Sequence, residues 1–236
     1  MNDFFSNYSR SISRSKRFFT FLALLFTFVF LFPFSACSKQ KEIDYFDSVS
    51  ECRSNILLAQ TQDFSLRIYA VAKEYPYAAD GVANDTTTRA EFYLSAPSGD
   101  KECTLSFSID GEDYGGDISY DSVKAEYYYS HSVDISSVKE LACIIVYGEQ
   151  EISLTAKSVV DDNTYTPKKA LQTLIDTEKS LFDKWTDDYG FIGEIYIRLI
   201  YEDAPYYYIG LIDRNGKIVA FLMNAQTGKV LAKREQ

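Results

Sequence analysis

Between Tyr45 and Ser158 apolar and polar residues alternate almost one by one, and this period of two is the strongest constraint the chain places on its fold. A strand turns successive side chains to opposite faces, so alternation of this kind gives each strand one buried and one wet side. In Cys103–Ile109 the residues Cys103, Leu105, Phe107 and Ile109 share one face, with Thr104, Ser106 and Ser108 opposite. Phe64, Leu66, Ile68, Ala70 and Ala72 alternate against Ser65, Arg67, Tyr69, Val71 and Lys73; Ala90, Phe92 and Leu94, and then Ile152, Leu154 and Ala156, repeat the pattern. Turn chemistry separates the runs at Gln60–Asp63, Ala96–Gly99, Asp110-Gly111, Gly115-Gly116 and Gly148. Short strands without intervening helical periods predict an antiparallel β-sandwich over 45–160 with about seven or eight strands, an immunoglobulin-like order being one compatible arrangement.

The pattern breaks in Ser158–Ala170. Thr166 suits a helix N-cap and Pro167 the first helical position. Leu171, Leu174, Ile175, Leu181, Phe182 and Trp185 then recur at helical spacing, which predicts one amphipathic helix closed by Gly190. Strands follow in Gly193–Tyr201, Tyr206–Asp213, Lys217–Asn224 and Lys229–Lys233, joined by turns at Asp203–Pro205, Arg214–Gly216 and Gln226–Gly228. The expected architecture is mainly β: the sandwich, then a small α+β domain over 161–236 whose single helix packs on one face of an antiparallel meander.

The N-terminus carries an address. From Phe18 to Phe34 only Thr20, Thr27 and Pro33 interrupt the apolar residues, and Arg10, Arg14, Lys16 and Arg17 precede them. A basic segment, an apolar run and small residues before a cut site describe an export signal. The run is at the lower edge of what spans a bilayer, so an uncleaved signal anchor is the alternative. "FSAC", Phe34 to Cys37, resembles the lipobox of bacterial lipoproteins, with Ser35 and Ala36 fitting and Phe34 standing where Leu is usual. That resemblance implies cleavage after residue 36, a diacylglyceryl group on Cys37, and a tether over 37–44 holding the folded part at the extracytoplasmic face of the cell membrane. Two acyl chains make a stable anchor where one holds only reversibly.

Charge narrows the partners. The chain holds 24 Lys and Arg against 34 Asp and Glu, a net charge of -10. Residues 1–36 contain four of the bases and one of the acids, leaving 20 against 33 beyond them. So acidic a surface is repelled by phosphate backbones, which excludes nucleic acid as the expected partner.

Catalytic and metal constellations are thin. The sole histidine, His131, shares strand parity with Val123, Ala125, Tyr127, Tyr129, Val133 and Ile135, a mainly apolar set that suits packing. Asp110–Asp121 offers clustered carboxylates, but Tyr114 falls where the calcium-loop template needs oxygen, so a solvated turn is expected. The acid pairs Asp187-Asp188 and Glu202-Asp203 lie at element ends and give no paired-carboxylate geometry. Besides Cys37 there are Cys52, Cys103 and Cys143; buried thiols are expected, with Cys52 on the parity of Ile56 and Leu58, and a Cys103–Cys143 bridge stays open. No enzyme, cofactor or metal is therefore expected.

Two tyrosine triplets remain, Tyr127–Tyr129 and Tyr206–Tyr208. The outer residues of each share a face, making Tyr127, Tyr129, Tyr206 and Tyr208 candidate ligand contacts and forcing the middle ones to the other side. Thr166–Lys233 resembles the PepSY family of extracytoplasmic domains through "NAQTGKVL", Asn224 to Leu231, with Asn224 in place of the usual Asp. PepSY domains occur in protease propeptides and membrane-anchored proteins. The resemblance implies a noncatalytic, peptide-binding or inhibitory module, with a secreted protease among its possible targets. The tyrosines keep a second class open, a cell-surface carbohydrate-binding lipoprotein.

Overall fold

The computed structural model describes residues 43–76 and 78–235. The basic segment, the apolar run and Cys37 lie outside the described residues. Ile43 onward forms one compact unit, mainly β. No helix among the described residues is long and apolar enough to cross a membrane.

After a 3-10 turn at Tyr45–Ser48 the strands are β1 (Val49–Gln60), β2 (Ser65–Glu74), β3 (Thr86–Ser95), β4 (Cys103–Ile109), β5 (Glu112–Asp117), β6 (Ser119–Asp121), β7 (Glu126–His131), β8 (Glu140–Tyr147) and β9 (Gln150–Ser158). Helices α1 (Pro167–Thr177) and α2 (Lys179–Lys184) follow, then a small hairpin, β10 (Thr186–Asp187) and β11 (Gly190–Phe191). The chain ends in β12 (Gly193–Tyr201), β13 (Pro205–Asp213), β14 (Ile218–Asn224) and β15 (Val230–Glu235).

The sheet branches at β1. One edge of β1 pairs with β2 along most of its length. The other pairs with β12 in parallel over Val49–Arg53 and with β9 at Leu57 and Leu58. Two strands share that edge because β1 bulges at Ser54, between Arg53 opposite Val71 and Asn55 opposite Ala70. An extra residue bends a strand and sharpens its twist, and here the bend lets β12 and β9 diverge. The same bulge moves Cys52. It pairs with Ala72 while Ile56 pairs with Tyr69, so Cys52 stands on the face opposite Ile56 and not beside it as strict alternation predicts.

Around one core run two arms of this sheet, β9-β8-β4-β5 and β2-β3-β7-β6. Leu57, Leu66, Ile68, Phe92, Leu94, Leu105, Phe107, Ile145 and Leu154 fill the space between them. The curl is nearly closed: β5 and β6 are consecutive but unpaired, buried Ile118 sits between them, and the Tyr129 hydroxyl reaches the Gly115 carbonyl at 3.1 Å. Because β9 bonds to β1, both arms belong to one branched sheet. The interface expected at residue 160 falls in the β9–α1 connection, while β1–β12 pairing runs across it.

Beyond β1 the order is β12-β13-β14-β15, an antiparallel meander. Ala170, Leu171, Leu174, Phe182 and Trp185 seal one face of it against Ile195, Ile197, Leu199, Tyr207, Ile209, Leu211, Val219, Phe221 and Met223. Thr166 caps α1, its hydroxyl accepting the Lys169 N–H at 3.2 Å, with Pro167 at the first position. The expected single helix is two. Thr173 and Thr177 donate to carbonyls four residues back, at 2.9 and 2.8 Å, a local bonding that bends helices, and the break falls at Glu178. Gly190 does not close a helix. It lies in the β10–β11 hairpin at φ +135°, where the Asp187 carboxylate accepts the N–H groups of Tyr189 and Gly190.

The Asn224–Leu231 motif forms the β14–β15 turn. Asn224 Oδ1 accepts from the Gln226 and Thr227 backbones and the Thr227 hydroxyl, the bonding a carboxylate would supply. Gly228 at φ +69° packs where a Cβ would lie 2.8 Å from the Tyr165 ring. The turn thereby docks on the start of α1, reinforced by Tyr165 N–H to the Ala225 carbonyl and the Tyr207 hydroxyl to the Tyr165 carbonyl, both 2.7 Å.

Candidate functional site, a tyrosine and ion-pair face

Both helices pack on one face of the meander, and the face behind it holds a different set of residues. Alternation fixes them strand by strand. On β2 the residues Leu66, Ile68 and Ala70 enter the core, so Arg67, Tyr69, Val71 and Lys73 point the other way. Tyr93 and Tyr128 are cross-strand partners on β3 and β7, their rings 5.1 Å apart, and Tyr69 lies 5.4 Å from Tyr93. Arg53 of β1 stacks its guanidinium 4.0 Å over Tyr69. The row continues on β12 and β13, where Arg198 lies 4.7 Å over Tyr196 and Tyr196 lies 5.8 Å from Tyr208. Gly210 makes room for it, since a Cβ there would fall 1.8 Å from the Tyr196 ring.

Ion pairs lace the rings together. Arg198 grips Glu51 with two bonds, 2.8 and 2.6 Å, joining β12 to β1. Lys73 bonds Glu91 at 2.8 Å, and the Tyr93 hydroxyl donates to the same carboxylate at 3.1 Å. Arg67 pairs with Glu126. Glu51 and Glu91 are buried, and such carboxylates persist only when paired. Burial and Glu91 push the Tyr93 phenol well above its ordinary value, which keeps it a donor. Arg53 and Arg89 each leave a buried Nε without an acceptor. On a chain of net charge -10 this face places Arg53, Arg67, Lys73, Arg89 and Arg198 beside Glu51, Glu91 and Glu126.

The four tyrosines singled out by sequence divide between environments. Tyr206 and Tyr208 are half-buried on this open face, whereas Tyr207 is buried under the helix. In the first triplet the outer pair turns inward: Tyr127 is buried with its hydroxyl on the Lys101 carbonyl at 2.8 Å, and Tyr129 packs against the core. The middle residue, Tyr128, is the one on the open face. Tyr69, Tyr93, Tyr196, Arg53 and Arg198 escaped sequence reasoning. Their signal is an aromatic or arginine on the polar parity of an otherwise alternating strand.

A second concavity, about 300 Å³, opens where the start of α1 meets the inner side of β1 to β3. Cys52, Ala70, Ala72, Thr88, Ser136 and Pro167 line it. The Cys52 thiol is half-buried and pushed up to about 12 by burial, so it is not a nucleophile at neutral pH. Cys103 and Cys143 are also free thiols, pushed up by burial to about 11 and about 12. They cannot bridge across β4 and β8, because Cys103 lies opposite Tyr147 and Cys143 opposite Phe107.

His131 stacks parallel to Tyr129 with centroids 6.2 Å apart, its Nδ1 3.4 Å from the Tyr129 hydroxyl, and leans on Tyr114. The acidic stretch from Asp110 forms the β4–β5 hairpin, whose turn takes Asp110 and Gly111 at φ 52° and 85°. Among the described residues no group of three or more His, Cys, Asp or Glu side chains is arranged to hold a metal ion. Comparison with protein-family models, with curated proteins and with solved structures gives no match.

Proposed function

We propose that this chain is a lipid-anchored extracytoplasmic protein that binds a partner protein or peptide through the tyrosine and ion-pair face, without catalysis or cofactor. One observation carries the binding reading: a sheet face left uncovered by helices presents tyrosines and arginines, the residue types that dominate protein interfaces. The surplus of cations there suits a partner presenting carboxylates. The export signal, the lipobox resemblance at Cys37 and the following tether support the location. The PepSY resemblance of Thr166–Lys233 supports a regulatory role, a secreted protease being one class of partner. In this reading a sandwich-like part over 45–160 and the helix-bearing part over 161–236 share the face through β1.

The ring geometry favours protein over sugar. Sugar rings stack on flat, accessible aromatic faces, but Tyr69 and Tyr93 are tilted by 56°, Tyr93 and Tyr128 by 49°. They pack against one another and offer edges and hydroxyls more than planes. The carbohydrate reading retains Tyr208, half-buried and tilted by only 32° from Tyr196, which is itself buried.

A photo-crosslinking amino acid at position 69 or 128 of the full-length protein in its own envelope should capture one defined protein, and the same probe at Tyr189 should not. Tyr69→Ala and Tyr208→Ala should each weaken that capture about tenfold or more, as loss of an interface anchor does. Equal capture from all three positions would overturn the assignment of the face; glycan-array binding abolished by Tyr208→Ala would move it to the sugar reading. The anchor has its own test. A Cys37→Ala chain that still partitions uncut with membranes would replace the lipid by a signal-anchor helix.

A further inference from the structure

Sheet register sets three arginines of the tyrosine face in one row. Arg53 of β1 and Arg89 of β3 both lie opposite Val71 of β2, and Arg198 of β12 lies beside Arg53 on its other side. Residues paired across strands share a face, and neighbouring strands are about 4.8 Å apart, so the backbones at Arg53 and Arg89 are about 10 Å apart with a valine between them. Like charges on adjacent strands repel each other. Such a row persists most easily when each arginine has its own anion.

Only Arg198 has one. Both oxygens of Glu51 accept from it, those of Glu91 accept from Lys73 and from the Tyr93 hydroxyl, and Glu126 is paired with Arg67. Arg53 has a ring instead of an acid, its guanidinium 4.0 Å over Tyr69. Arg89 reaches the Thr87 hydroxyl at 3.4 Å and the Tyr75 ring at 5.5 Å. Neither has an ion pair among the described residues, and each holds a buried Nε without an acceptor. Both side chains are half-buried, where a charge is screened less than on an open surface. On a chain with 34 acidic residues, two neighbouring arginines left without a carboxylate form an arrangement that stability alone disfavours.

We propose that Arg53 and Arg89 each receive one carboxylate of the partner, both supplied by a single acidic peptide segment laid across β1, β2 and β3. The inference rests on the reading of this face as an interface and names what that interface recognises. Charge complementarity carries it, and the direction of the side chains sets the number of carboxylates. Arg53 leans toward Tyr69, which lies one row toward the end of β1, whereas Arg89 leans toward Thr87, one row the opposite way. A single small anion between them would leave one guanidinium unmet. Two acidic side chains spaced along one peptide meet both, and a guanidinium's fork of N–H groups matches the two oxygens of a carboxylate. Arg67, Lys73 and Arg198 thus tie the face together, while Arg53 and Arg89 select what lies on it.

A library of random nine-residue peptides displayed on phage, selected on the immobilised full-length protein in detergent, tests it. Clones selected by the native chain should carry two or more Asp or Glu more often than the unselected library. They should bind the Arg53→Gln/Arg89→Gln double variant about tenfold or more weaker, the effect of losing charge-assisted hydrogen bonds. The Arg53→Lys/Arg89→Lys variant, which keeps the charge, should retain most of the binding, and added salt should weaken the native chain more than the Gln variant. Binding is compared per folded molecule, with Trp185 emission as the measure of folding. Clones without acidic enrichment, or acidic clones that bind the Gln variant as well as the native chain, would overturn the assignment to Arg53 and Arg89. If such clones still lose binding in Tyr69→Ala, the interface reading stands without it; if no clone distinguishes native from either variant, both fall.

Discussion

The strands β12 to β14 have two faces of opposite character. Beneath α1 and α2 the nine residues Ile195, Ile197, Leu199, Tyr207, Ile209, Leu211, Val219, Phe221 and Met223 are all 0 % exposed, and the Tyr207 hydroxyl bonds a backbone carbonyl. Behind them stand Glu194, Tyr196, Arg198, Tyr206, Tyr208, Gly210 and Ile212. The covered face is stabilised by dispersion and by release of water, which depend little on pH or salt. The open face stays in place through pairing: buried Glu51 and Glu91 have counter-charges in Arg198 and Lys73, and Tyr69, Tyr93, Tyr128, Tyr196 and Tyr208 each have a ring neighbour. A face organised that way keeps half-buried ring edges and hydroxyls available to a partner, which the covered face does not.

The sharpest way to separate them is to damage the covered face alone. Phe221→Ala removes a fully buried ring under the helix and should cost about 3 to 5 kcal/mol in urea unfolding. Trp185, the only tryptophan, belongs to the same cluster, so its emission should shift to the red. Partner capture per folded molecule should change little, since Tyr69 is the one aromatic of the row packed against that cluster, and it does so from β2, four strands along the sheet from Phe221 on β14.

Damage on the other side should behave differently. Arg198→Ala strands the buried Glu51 carboxylate and should cost about 2 to 3 kcal/mol, below the fully buried figure because a third of the guanidinium side chain is exposed. Glu51→Gln in the same chain should restore part of the loss, because the double change leaves no lone charge. Strict additivity in that double-mutant cycle would mean the pair contributes no coupling, and the open face would then be held by packing like the covered one.

Much of this contrast was legible in sequence. Period two located the strands, Thr166-Pro167 located the start of α1, and the apolar stripe from Leu171 to Trp185 announced helical cover on one face of the meander. What escaped depends on geometry that periodicity does not encode. The Ser54 bulge inverted the parity of Cys52, two threonines bonding back into the helix ended α1 before Gly190, and the parallel β1–β12 pairing joined segments more than 140 residues apart. The site was harder still. Choosing the outer tyrosines of each triplet selects the right face on β13 and the wrong one for an open row on β7, because only tertiary packing decides which parity is inward.

Gly210 offers the gentlest test of the contrast, because it touches the open face through a ring and the covered face not at all. Gly210→Ala places a methyl where the far end of Tyr196 now lies, 1.8 Å from the nearest ring atom. Tyr196 is only 6 % exposed, so its ring must shift within a packed site and the stability cost should be about 1 to 3 kcal/mol, the range for overpacking. The displacement should nonetheless separate Tyr196 from Tyr208 and from the Arg198 guanidinium. Near-UV circular dichroism from tyrosine should change while Trp185 emission stays as in the native chain. If capture at positions 69 and 128 also weakens, the row acts as one surface across β1, with the ion pair of Arg198 and Glu51 as its joint. If capture is unaffected, binding is confined to the β2, β3 and β7 end, and Tyr196 and Tyr208 are packing residues.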